Sequence, residues 1–66
     1  MTLYEVQVTT PKYQTNETDT NRKNMVKLFK DKVIYNKDNP HKPVYIDLIV
    51  WLDSGNVETV KTVSIT

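Results

Sequence analysis

A small α+β fold, a three- to four-stranded mainly antiparallel sheet with one short helix in the order β-α-β-β, is what three features of the sequence predict. Two segments, residues 3–10 and 44–52, alternate with the period of a strand. Asp53-Ser54-Gly55-Asn56 has the chemistry of a hairpin turn leading into a further β-prone run. Met25, Leu28, Phe29 and Val33 recur at helical spacing. With 66 residues the chain is expected to make a single small domain.

In the first strand Tyr4, Val6 and Val8 share one side, Leu3, Glu5, Gln7 and Thr9 the other, and Pro11 closes it. This strand is a possible sheet edge. Residues 11–21 turn to Gln, Thr, Asn, Glu and Asp without an apolar period, so a polar loop is expected there with Tyr13 as its anchor.

Residues 20–32 favour a helix, capped by Asp19 or Thr20 and with Lys30 and Lys32 at the negative end of its dipole. The alternative is an all-β meander in which a hairpin turning near Lys30-Asp31 pairs residues 25–29 with Val33-Ile34-Tyr35. That run is otherwise a short strand after the helix. Residues 36–43, NKDNPHKP, read as a second loop, because each proline removes an amide donor and biases its predecessor away from helix.

The best-defined element is residues 44–52. Its even positions Val44, Ile46, Leu48, Val50 and Leu52 are aliphatic, while Tyr45, Asp47, Ile49 and Trp51 form the odd face. This describes a central strand buried fully on one side and partly on the other. The only glycine, Gly55, falls where the turn needs a positive φ, and residues 57–65 return as an antiparallel partner. Their apolar positions change parity, which a bulge near residues 58–61 or strand twist reconciles.

Without cysteine there is no disulfide or thiolate zinc site to staple so small a core, so packing or self-association must supply stability and a homodimer is expected. The N-terminal residues lack the basic flank and apolar run of a signal peptide, and no apolar stretch reaches the ~20 residues that span a bilayer. A cytoplasmic protein without membrane contact is expected.

Enzymatic constellations are missing. His41 is the sole imidazole and sits in a loop, no serine lies in an activating motif, one glycine makes no phosphate loop, and Asp47 and Asp53 stand about 20 Å apart by strand rise. No metal spacing and no cofactor motif occurs. The reading is therefore not an enzyme.

Charge is distributed unevenly. Residues 20–42 hold Arg22, Lys23, Lys27, Lys30, Lys32, Lys37 and Lys42 against Asp31 and Asp38, a net of +5, and the remainder carries −4. On a helix Lys23, Lys27 and Lys30 stand at i, i+4 and i+7, a ridge suited to phosphates or to an acidic protein surface. Tyr45, Ile49 and Trp51 make the odd strand face more apolar than solvent requires, with residue types enriched in binding hot spots.

Richness in Lys, Asn, Thr, Tyr and Ile with little Ala, Gly or Arg is similar to products of AT-rich genomes, among which short chains from phages and mobile elements are frequent. That resemblance, which carries no residue motif, implies an accessory protein that modulates a macromolecule. The expectation is a non-enzymatic interaction protein, a small inhibitor or modulator acting in the host cytoplasm if phage-encoded. It would occlude a surface of a partner protein, an acidic one suiting the lysines, through Tyr45, Ile49, Trp51, Lys23, Lys27 and Lys30. The alternative is a nucleic-acid-binding, for example DNA-binding, regulator using Arg22, Lys23, Lys27, Lys30 and Lys32 on phosphates. The eight-to-one excess of Lys over Arg disfavours base reading. The aromatics stack on bases only if they share a sheet face with the lysines. A third reading is a structural subunit whose opposed charges drive head-to-tail assembly.

Overall fold

Val44, Ile46, Leu48 and Val50 are buried while their neighbours are half-buried or exposed, and this alternation sets the layering of the molecule. The computed structural model describes residues 2–66. Its elements are β1 (Leu3–Thr9), β2 (Gln14–Asp19), α1 (Arg22–Asn36), β3 (Val44–Trp51) and β4 (Val57–Ile65). The strands form one antiparallel sheet in the order β2-β1-β3-β4. α1 packs on one face through Met25 and Phe29, which meet Val6, Val8, Val44, Ile46 and Leu48 in a single apolar cluster. The small α+β architecture is thus as expected, with the helix covering the even face of β3.

Residues 11–21, expected as a loop, contain β2. All of Gln14–Thr18 is exposed and no apolar residue marks the strand, so side-chain burial does not create it. Backbone pairing with β1, from Thr9↔Gln14 to Tyr4↔Asp19, holds it instead. A tight turn delivers the chain there: the Thr10 amide donates to the Tyr13 carbonyl at 2.8 Å, and the Thr10 Oγ1 accepts from the amides of Lys12 and Tyr13. β1 is consequently an inner strand, not an edge.

α1 also runs further than residues 20–32, taking in Val33, which fits the helical spacing, together with Ile34 and Tyr35, so the strand reading of that run is not realised. Phe29, Val33 and Asn36 continue the i, i+4, i+7 stripe onto the sheet, and that continuity outweighs the β propensity of the run. Ile34 and Tyr35 pay for it with 65% and 79% exposure. The N-cap is Asn21, whose side chain accepts from the Asn24 amide at 3.1 Å, and not Asp19 or Thr20. Asp19 acts one step earlier, accepting from the Asn21 amide at 3.0 Å, and this bond holds its carboxyl below the ordinary value of 3.8. Because the helix continues to Asn36, Lys30 and Lys32 are not in its last turn.

After α1 a polar network replaces secondary structure. The Asn36 Nδ2 donates to the Lys32 carbonyl, the Asn39 Nδ2 donates to Asn36 Oδ1 and to Tyr13 Oη, and the His41 amide donates to Asn39 Oδ1. Every bond lies between 2.7 and 2.9 Å, so two asparagines sit buried without an orphan polar atom. The Lys42–Pro43 peptide is cis. In the β3–β4 hairpin Gly55 takes φ 89°, as its position predicts. The register then slips so that Leu48 faces Lys61 and Ile49 faces Thr59, leaving Val60 as the extra residue of the expected bulge.

Candidate interaction surfaces

The two halves of the expected partner site are on opposite sides of the sheet. In an antiparallel sheet paired residues share a face, so the register defines the side away from α1. Leu3, Trp51 and Val57 form one row and Glu5, Ile49 and Thr59 the next. Gln7, Asp47 and Thr62 follow, then Thr9, Tyr45 and Ser64. Among the described residues no element covers this face, and Trp51, Tyr45 and Val57 remain between 42% and 46% exposed.

Trp51 is held in place although it is half exposed. Its Nε1 donates to Glu5 Oε1 at 2.8 Å, and the other carboxylate oxygen accepts from the Asn16 side chain. Glu5 is itself only 7% exposed, so β2 and β1 together pin an aromatic on β3. Nearby, Thr62 Oγ1 donates to Asp47 Oδ1 at 2.8 Å. The rows contain no lysine or arginine, so the charges of this face are the two engaged carboxylates.

The lysine ridge lies on the outer side of α1. Arg22, Lys23, Lys27 and Lys30 surround a shallow groove of about 570 Å³ floored by Val26. A second depression, between α1 and β4, brings Lys61 beside Lys30 over Val33, Ile34 and Val63. Among the described residues none of these five cations is in an ion pair. Lys32, expected with them as a phosphate contact, instead approaches Glu17 of β2 at 3.4 Å and faces away from the groove.

A third concavity, about 650 Å³, opens between the end of α1 and the polar network, with Tyr35, Pro40 and His41 on its rim. The His41 and Tyr13 rings meet edge to face at 6.3 Å. Among the described residues no three His, Asp or Glu side chains converge as a metal site would require. No helix among them is long and apolar enough to cross a membrane.

Comparison with protein families, curated proteins and solved structures finds no match. Two participants escaped the sequence reading. Glu5 gave no sign beyond its place on the odd side of β1, since the Trp51 contact spans 46 positions. Lys61, counted with the acidic remainder, joins the basic ridge only through the pairing of β4.

Proposed function

We propose that this chain is a non-enzymatic interaction protein that docks its open sheet face on a partner protein and thereby covers a surface of it. The supporting observation is the preorganised indole of Trp51, half exposed yet fixed by buried Glu5 and flanked by Leu3, Ile49 and Val57. Fixing an aromatic before contact removes part of the entropy cost of binding, and such residues carry most interface energy. Four strands at ~4.8 Å spacing and eight residues at ~3.3 Å give a face of roughly 20 by 25 Å, near the lower bound for a specific interface.

The partner surface is apolar at its centre and need not be acidic, because the basic residues point elsewhere. The amino-acid composition, similar to that of products of AT-rich genomes, is in keeping with an accessory role in a phage or mobile element. Homodimerisation is a second expectation, favoured by the edge of β4, which is exposed at seven of its nine positions. Sedimentation showing only monomer at high concentration removes that part.

The test is capture from a cell extract with the wild type and the double variant Tyr45→Ala/Trp51→Ala, checked for fold by circular dichroism. A specific protein captured by the wild type and lost, about 100-fold or more in affinity, by the folded variant supports the docking face. Equal capture by both discards it. Lys23→Glu/Lys27→Glu/Lys30→Glu should leave that capture in place.

A further inference from the structure

The opposite side of the molecule carries a separate inference. We propose that the basic band formed by the groove on α1 and the adjoining depression between α1 and β4 is a site for the phosphate backbone of double-stranded nucleic acid, with Arg22, Lys23, Lys27, Lys30 and Lys61 as its contacts. α1 supplies four of them around one groove, and Lys61 extends the cluster onto the sheet beside Lys30. At 1.5 Å rise per residue Lys23 and Lys30 stand about 10 Å apart along the axis, a span over which a duplex presents several phosphates.

Five cations without ion-pair partners among the described residues repel one another, and a polyanion relieves that repulsion. The nearest carboxylates by helix position and register are Asp31 and Glu58, and neither forms an ion pair with the band. The chemistry of the groove chooses the kind of nucleic acid. Its floor is Val26, Val33, Ile34 and Val63 with the edge of Phe29, which is only 4% exposed and so offers no ring face for a base to stack on. Tyr45 and Trp51 are on the far face of the sheet, and Tyr35 borders the concavities on the other flank of α1. Single strands are gripped by stacking bases on rings, so this surface lacks what they need. With one arginine among four lysines it is also poorly equipped to read base edges, so binding should be indifferent to sequence.

Fluorescence anisotropy of a labelled DNA duplex of roughly 20 base pairs, and of the matching single strand, tests this between ~50 and ~200 mM salt. The wild type should bind the duplex more tightly, weakening about 100-fold or more over that range, because each phosphate neutralised adds about 0.9 to the slope of log Kd against log salt. Lys61→Gln should lower that slope by about one contact, whereas Lys12→Gln, in the β1–β2 turn, should leave it unchanged. Lys23→Gln/Lys27→Gln/Lys30→Gln/Lys61→Gln, all at exposed positions, should abolish binding with an unaltered circular dichroism spectrum. No saturable duplex binding at the lower salt overturns the proposal, as does tighter binding of the single strand or insensitivity to the four-fold variant. Protein capture by the open face is read independently, so either proposal can fail alone.

Discussion

The two sides of β3 show how one strand serves structure and recognition at once. On the side of α1, Val44 and Ile46 are completely buried and Leu48 and Val50 nearly so. That side has no group to offer a ligand. On the other side Tyr45, Asp47, Ile49 and Trp51 keep part of their surface, and polar bonds to Thr62 and Glu5 hold Asp47 and Trp51. The period of two separates the tasks, because each residue is free to serve the face it points to without disturbing its neighbour. Outside both, the cations of α1 form a third environment whose stems cover Val26 and whose ammonium groups remain in water.

The contrast is sharpest in two isoleucines three positions apart. Ile46→Ala empties a fully buried site and should cost about 2–5 kcal/mol, enough to unfold much of so small a protein. Ile49→Ala, on the open face, should cost about 1 kcal/mol or less. Urea denaturation of the two variants measures this, and equal losses would mean that the open face is covered, by a second copy or otherwise.

Glu5→Ala comes next, since it leaves the Trp51 indole and the Asn16 amide without their acceptor. A loss of about 1–3 kcal/mol is expected, together with a change in the emission of Trp51, the only tryptophan. Unchanged emission would show that the indole is not held. Asn21→Ala removes the cap that starts the covering helix, for about 1 kcal/mol by thermal melting.

The smallest effect concerns Asp19. Its folded pKa is below the unfolded one, so its contribution is present above about pH 4 and is lost as pH falls through the lowered value. Asp19→Asn should slightly flatten the acid limb of the stability curve, while an unaltered limb would place the acid sensitivity in other carboxylates.

Wherever side-chain burial follows a period, the sequence is a faithful guide. The even face of β3 and the β3–β4 hairpin with Gly55 were legible, and the change of parity in β4 pointed to a bulge or a twist, of which the register shift shows the bulge. β2 was illegible because an exposed edge strand is held by backbone hydrogen bonds, which leave no hydrophobic signature. The helical state of Ile34 and Tyr35 was equally hidden, since local propensity favours a strand and only the stripe through Val33 and Asn36 meeting the sheet reverses it.

By itself, then, the sequence determined that a thin α+β layer would form, which face of β3 would be buried, and that a lysine ridge and an aromatic patch would exist. The tertiary structure decided that α1 covers the aliphatic face and so leaves the aromatic one open. It thereby put the patch and the ridge on opposite sides. It also joined Glu5 to Trp51 and Lys61 to Lys30. The physical reason is range: periodicity reports how each residue meets its own element, whereas strand register and helix docking couple residues tens of positions apart whose pairing no local pattern encodes.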